Sequence, residues 1–113
     1  MEKLIVNSYE DFASHLGEVL GTSEWLQIDS VLPYLWDQII EVKNIKMLVN
    51  YGIEHMRFGK PVITGSRVRL VTKLHQIQNL RGTCKTEIDF RIEIEGERKP
   101  ALEGIAVFLY YFN

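Results

Sequence analysis

The alternation of apolar and charged residues along Thr83–Glu95 constrains the fold of this chain more than any other feature of its sequence. Ile88, Phe90, Ile92 and Ile94 share one face of an extended strand, and charged residues stand between them. A period of two predicts a half-buried antiparallel strand with one face in water.

Three further segments have the period of a strand. Met47–Phe58 contains Gly52, which predicts a β-bulge or a close backbone approach. Ser66–Gln78 alternates cleanly and then slips at Ile77, which predicts a second bulge. Ala101–Phe112 is apolar on both faces, so we expect it to lie in the middle of a sheet or against a partner.

Two short helices are predicted. The first begins after a cap at Ser8 and carries an apolar face through Val19, before Gly21 ends it. The second has apolar residues at helical spacing over Val31–Ile40, with Pro33 in its first turn. This second helix carries almost no charge, so we expect it to be buried.

The order of these elements predicts an α+β fold. A short strand at Glu24–Asp29 precedes the buried helix, and four long strands follow it, joined by tight turns. Such strands form an antiparallel meander, and wrapping a curved sheet round the helix buries both sets of apolar side chains. At 113 residues the chain has the length of a single domain, over residues 1–113.

The composition of the chain limits the functions and the cellular compartments that we expect for it. The formal charge of −2 and the pI of about 5.9 argue against binding nucleic acid, because phosphate binding needs a positive field. No apolar run is long enough to span a bilayer, and the N-terminus has no secretion signal. The single cysteine, Cys84, is expected to be buried and inert, and suits a reducing cytoplasm.

Several motifs follow one another from about Gly21 to the C-terminus. They are Leu20–Leu26 (LGTSEWL), Asn50–Phe58 (NYGIEHMRF), Pro61–Arg69 (PVITGSRVR), Ile92–Gly96 (IEIEG) and Lys99–Ala101 (KPA). In combination they resemble the MaoC-like (NodN-like) dehydratases, which are hotdog proteins. The resemblance implies a hotdog fold, with a curved antiparallel sheet wrapped round a shortened central helix.

The resemblance also implies a chemistry. Members of the family hydrate trans-2-enoyl thioesters to (R)-3-hydroxyacyl thioesters, or catalyse the reverse dehydration. An Asp and a His activate the water, and an Ala-His-Gly segment offers backbone N–H groups to the thioester carbonyl. In the family these groups lie between the strand that matches Trp25–Leu26 and the helix that matches Leu32–Pro33.

The catalytic segment of the family has no counterpart in this chain. Ile28–Asp29 runs directly into Ser30–Pro33, so the Asp/His pair, the Ala-His-Gly turn and the first half of the helix are missing. No other pair of residues fills both catalytic roles, so no catalytic residue is assigned. The scattered histidines and the lone cysteine have no metal-ligand spacing, and no metal or cofactor is expected.

A substrate-binding set follows from the resemblance, which places Asn50, Tyr51 and Gly52 beside the acyl pocket. His55 and Arg57 complete the set, the arginine as a contact for the phosphates of coenzyme A. These residues also have structural explanations that involve no ligand. Asn50–Gly52 can form a bulge, His55 can be an ordinary strand histidine, and Arg57 can lie on a solvated strand face.

Three functions remain open at this point. The chain is an acyl-thioester (acyl-CoA) domain related to (R)-specific enoyl-CoA hydratases that has lost catalysis, a structural dimerisation module, or a still active hydratase that uses other residues. In each case we expect a homodimer, in which the last strands or the flanking strands of two copies align into one longer sheet.

Overall fold

The computed structural model describes residues 3–27 and 35–113. In this part of the chain the strands are connected by one short α-helix, one 3₁₀ turn and tight loops. In chain order the elements are β1 (Leu4–Val6), α1 (Tyr9–Ala13), β2 (Val19–Thr22), β3 (Leu26–Gln27), the 3₁₀ turn (Leu35–Gln38), β4 (Ile40–Val42), β5 (Ile45–Phe58), β6 (Arg67–Leu80), β7 (Thr83–Ile94) and β8 (Leu102–Phe112).

The long strands form one antiparallel sheet. Its order is β2-β6-β7-β8-β5, and β3 also pairs with β6. β8 lies between β7 and β5, so the prediction that the doubly apolar strand is an inner one is confirmed. β1 and β4 pair in parallel as a separate two-stranded sheet. The predicted α+β hotdog fold is therefore confirmed.

Both predicted bulges are present. The pairing of β5 with β8 shifts register between Asn50 and Gly52. The pairing of β6 with β7 shifts between Leu74 and Gln76, close to the slip predicted at Ile77. After each bulge, the side chains project from the face of the sheet opposite to the one that uninterrupted alternation would give.

The core lies on one face of the main sheet. Buried side chains of the main sheet pack there against residues from the N-terminal segment and from the link before β4. They include Val6, Phe12, Leu20, Ile39, Leu70, Leu74, Cys84, Ile88, Ala106 and Tyr110. The predicted burial of the single cysteine is confirmed.

The N-terminal helix is shorter than predicted. It begins after Ser8, whose hydroxyl accepts a backbone N–H at 3.1 Å as the capping pattern indicates, and it ends at Ala13. Gly17 then takes a φ of +82°, which breaks helical geometry. Val19 and Gly21 lie in β2, so the prediction that the helix continues to them was wrong.

The second helix also differs from its prediction. Leu35–Gln38 forms one 3₁₀ turn, and Ile40 already belongs to β4, where it lies opposite Leu4 of β1. The prediction was therefore wrong at this end, because the strand pairing with β1 ends the helix. Val31–Tyr34 lies outside the described residues, as does the end of the predicted Glu24–Asp29 strand. No helix within 3–27 and 35–113 is long and apolar enough to cross a membrane.

Candidate functional site

An apolar groove of about 980 Å³ opens on the core-facing side of the main sheet. It runs between β5 and the segment that contains the 3₁₀ turn and β4. Its apolar walls are formed by Trp36, Ile40, Val42, Ile45, Leu48, Ile53, Phe90, Ile92, Leu102, Ala106, Val107, Phe108 and Tyr110. A space of this size and lining suits an alkyl chain.

The register of β5 explains why its side chains reach the groove. Leu48 lies opposite Tyr110, and Ile53 lies opposite Ala106. Residues opposite each other in an antiparallel pair project from the same face. Leu48 and Ile53 therefore share the core-facing side with buried residues of β8, but they are 47% and 57% exposed because they lie on the edge strand.

Few polar groups reach the groove. Asn50 contributes an amide that can both donate and accept hydrogen bonds, and Lys3 and Glu41 contribute charges. Gly52 also lines the groove, and a Cβ at this glycine would meet nothing within 4 Å. The wall at Gly52 is thus open enough for a ligand to approach the backbone.

The five residues of the predicted substrate-binding set do not lie together. Asn50 and Gly52 line the groove, whereas His55 and Arg57 line a second pocket of about 770 Å³ beside charged residues of the sheet. Tyr51 is 64% exposed, and the Lys85 Nζ lies 5.9 Å from the centre of its ring. Only two members of the set are thus positioned to contact a ligand in the groove.

The bulge near the end of β5 separates His55 and Arg57 from the groove. The pairing with β8 shifts register between Glu54 and Arg57, and His55 has a φ of +52°. Arg57 Nη2 donates to Glu103 Oε1 at 2.8 Å. The charge of this arginine is therefore already balanced by a carboxylate.

The other two histidines each lie near an exposed carboxylate. His15 Nδ1 lies 3.5 Å from Glu18 Oε1, and His75 Nδ1 lies 3.4 Å from Asp89 Oδ2. Neither histidine lines the groove. Within 3–27 and 35–113, no three side chains of His, Cys, Asp or Glu come together as a metal site.

An ionic cluster lies near the β3 end of the sheet. Glu93 accepts from Arg69 Nε at 2.7 Å and from Arg91 Nη2 at 2.6 Å. The Arg69 guanidinium also stacks 4.5 Å above the ring of Trp25. Partial burial raises the pKa of the Glu93 carboxyl, but the two arginines outweigh burial and hold the pKa below its ordinary value.

Sequence reasoning missed the aromatic wall of the groove. Trp36 meets Phe108 nearly edge to face, with ring centroids 5.6 Å apart, and lies 6.2 Å from Phe90. The helical spacing that predicted a buried element over Val31–Ile40 accounts for these contacts, but not for the exposure of Trp36 to the groove. The alternation in β8 places Phe108 and Tyr110 on one face, but it cannot indicate which part of that face stays open.

Comparison with known proteins gives two kinds of sequence relative. Over 82 residues the chain is 37% identical to 3-hydroxyacyl-thioester dehydratase Z of Mycobacterium tuberculosis, a match that covers 72% of this chain and 54% of the relative. The chain therefore spans about half the length of this relative. It is 36% identical to nodulation protein N of Rhizobium leguminosarum bv. viciae, covering 94% of this chain and 92% of the relative. No family model matches the sequence.

The second match also bears on the length of this chain. The alignment spans 150 positions, which exceeds the 113 residues of the chain by 37. At least 37 positions of nodulation protein N are therefore aligned with gaps in this chain. This difference is compatible with the loss of an internal segment.

A solved structure shares the fold. The monoamine oxidase regulatory protein from Archaeoglobus fulgius superposes with a TM-score of 0.72 over 100% of this chain and 99% of its own, at 9% sequence identity. Identity this low supports the fold alone, whereas the long match to nodulation protein N supports common descent. The chain belongs to the MaoC-like (NodN-like) dehydratase family of hotdog proteins.

Proposed function

We propose that this chain is an acyl-thioester-binding domain, related to the (R)-specific enoyl-CoA hydratases, that binds its ligand without hydrating it. The observation that carries the proposal is the apolar groove, which has Asn50 on its wall and no histidine among its described lining residues. The buried free thiol of Cys84 fits the reducing cytoplasm, and an acyl-thioester ligand would place the domain in fatty-acid metabolism.

The groove supports acyl binding through both its size and its polarity. Each methylene of an acyl chain that leaves water contributes about 0.8 kcal/mol. The Asn50 amide can donate to the thioester carbonyl or to an amide of the pantetheine arm. The groove opens to solvent along β5, which leaves room for a bulky coenzyme or carrier outside it.

The positions of the histidines support the proposal that the domain does not catalyse hydration of its ligand. A general base must lie about 2.6–3.2 Å from the water that it activates. His15, His55 and His75 are the only histidines of the sequence, and none lines the groove. Residues 28–34 contain no histidine either, so an acid–imidazole pair at the groove cannot come from that segment.

Thermal unfolding with octanoyl-CoA, compared with free coenzyme A, tests binding. At a ligand concentration about 100 times the Kd, a native-state ligand contributes about 2.7 kcal/mol, which raises the Tm of a domain this size by roughly 10 °C. We expect this shift with octanoyl-CoA and a much smaller one with coenzyme A.

A matched pair of variants tests whether the rise in Tm comes from binding in the groove. Leu102 and Leu109 are both half-buried on β8, but only Leu102 lines the groove. Leu102→Lys should abolish the shift, and Leu109→Lys should retain it. An unchanged wild-type Tm at saturating octanoyl-CoA, or equal shifts in both variants, would refute acyl binding in this groove.

A further inference from the structure

The wall of the groove contains a side-chain hydroxyl. Among the lining residues that the structure describes, only Tyr110 carries one, and this residue is 5% exposed. None of the side-chain hydrogen bonds formed within residues 3–27 and 35–113 involves this hydroxyl. A buried tyrosine hydroxyl usually has a hydrogen-bond partner, so Tyr110 departs from the usual arrangement.

The hydroxyl oxygen of Tyr110 is in contact with open space. In the described part of the chain, every fully buried side-chain oxygen or nitrogen has a hydrogen-bond partner. Because the Tyr110 oxygen has no partner there, it is not fully enclosed, although the residue as a whole is buried. The groove is the cavity that Tyr110 lines. The hydroxyl therefore faces the groove, where a bound ligand can reach it.

Aromatic neighbours hold the Tyr110 ring in place. Its centroid lies 5.5 Å from that of Phe12, 6.2 Å from that of Phe108 and 6.4 Å from that of Phe112. Burial raises the pKa of the Tyr110 hydroxyl, so it stays protonated at neutral pH and can donate a hydrogen bond as well as accept one. A group fixed in this way loses little conformational freedom when it binds an oxygen atom of a ligand.

The register of the sheet places a second polar group near Tyr110. Asn50 of β5 lies opposite Phe108, and Tyr110 is two residues further along β8 on the same face. Diagonal neighbours of this kind are about 7–8 Å apart. A ligand in the groove can therefore meet the Asn50 amide with one oxygen and the Tyr110 hydroxyl with another, several bonds further along its chain.

The burial of β8 indicates which way an acyl chain would run. The β8 wall of the groove is more buried at Tyr110 than at Leu102, which is half-buried. A coenzyme or carrier is too bulky for the more buried part, so a thioester bound at Asn50 would direct its acyl chain toward Tyr110. A purely alkyl chain would cover the hydroxyl without bonding it, which is unfavourable, whereas an oxygen on the chain would bond it.

We propose that the groove prefers acyl thioesters whose chain carries a hydroxyl or keto oxygen far from the thioester, and that Tyr110 recognises this oxygen. This preference rests on the proposed function, because it concerns the acyl chain that the same groove binds. Octanoyl-CoA still binds through its apolar contacts, but it leaves the Tyr110 hydroxyl without a partner.

Isothermal titration calorimetry with octanoyl-CoA and ω-hydroxyoctanoyl-CoA tests the preference. The two thioesters differ by one oxygen at the end of the chain. A single neutral hydrogen bond strengthens binding by about 3–10-fold, so the Kd of the ω-hydroxy thioester should be lower by that factor. The α-hydroxy isomer is the ligand control. Its extra oxygen lies next to the thioester carbonyl and cannot reach Tyr110 at the same time, so its Kd should exceed that of the ω-hydroxy isomer.

A matched pair of tyrosine variants assigns the preference to one hydroxyl. Tyr110→Phe removes the hydroxyl and keeps the ring that packs against Phe12. In this variant the ratio of the Kd values for octanoyl-CoA and its ω-hydroxy form should fall to about one. Tyr111→Phe is the control, since Tyr111 projects from the opposite face of β8 and does not line the groove. It should keep the wild-type ratio.

The outcomes separate this inference from the proposed function. Equal Kd values for the octanoyl and ω-hydroxyoctanoyl thioesters in the wild type would overturn the preference and leave acyl binding intact. An α-hydroxy isomer that binds as tightly as the ω-hydroxy isomer would also overturn it. A ratio that survives in Tyr110→Phe, or that Tyr111→Phe also abolishes, would overturn the role of Tyr110. No binding of any of the thioesters would overturn the proposed function and this preference together. The wild-type comparison decides the preference even if Tyr110→Phe does not fold.

Discussion

The ring of Phe12 lies 5.5 Å from the ring of Tyr110, tilted by 55°, and joins the N-terminal helix to the C-terminal part of the last strand. Phe12 is the largest fully buried side chain in the described part of the chain. The N-terminal segment precedes the motifs shared with the family, yet it fills the core on the same sheet face as the 3₁₀ turn. The N-terminal segment therefore supplies part of the core of this domain.

Removing the Phe12 ring should therefore destabilise the whole domain. Phe12→Ala is expected to lower the free energy of unfolding by about 3–5 kcal/mol, measured by urea denaturation, because it leaves a cavity against Tyr110. Leu16→Ala is the control, since Leu16 is 50% exposed, and it should change the value by less than about 0.5 kcal/mol. A loss below about 1 kcal/mol for Phe12→Ala would contradict this role.

The buried hydroxyl of Ser23 holds β6 in place. Its Oγ accepts from the Leu70 N–H at 2.8 Å and donates to the Glu24 carbonyl oxygen at 3.1 Å. Ser23→Ala leaves the Leu70 N–H without a partner and should cost about 1–3 kcal/mol in chemical denaturation. Ser14→Ala is the control, because Ser14 is exposed. Similar losses of unfolding free energy in the two variants would show that burial of the hydroxyl is unimportant.

Glu93 makes the stability of the protein depend on pH. Its pKa is lowered in the folded state, so its contribution is present above the ordinary value of 4.5 and is lost as the pH falls through the folded pKa. At pH 7, Glu93→Gln should lower the free energy of unfolding by about 0.2–1 kcal/mol. This difference should shrink as the pH falls below about 4.5. A difference that stays constant down to pH 2 would rule out the arginine pairing as its cause.

The Cys84 thiol should be inert in the folded protein. Burial raises its pKa to about 11, so the nucleophilic thiolate is scarce at pH 8 and the sulfur is also shielded from reagents. A thiol-reactive disulfide reagent should label the native protein at least about 100-fold more slowly than the urea-unfolded protein. Equal labelling rates would place the thiol at the surface.

Local patterns predicted the long strands well, because a period of two is a property of neighbouring residues. The alternation of Ile88 and Phe90 and the bulge at Gly52 were both read from adjacent positions. The parallel pairing of β1 with β4 joins Leu4 to Ile40, and no local signal specifies such a distant contact. Short apolar runs fit a helix or a strand equally well, which is why Ile40 was assigned to a helix.

The candidate site was only partly predictable for the same reason. The family resemblance indicated Asn50 and Gly52, which do line the groove. His55 and Arg57 follow in the same motif, but the bulge between them places both beside another pocket. Trp36 reaches the groove through packing against Phe108, which only the folded chain reveals.

The central claim is that the groove holds an acyl thioester but has no acid–base pair to hydrate it. The most direct measurement is the absorbance of the enoyl thioester of crotonyl-CoA, followed over hours with the purified protein at micromolar concentration. We predict no loss of absorbance beyond that of a protein-free control. Enzyme-dependent hydration, above all hydration that disappears in His55→Ala, would contradict the account.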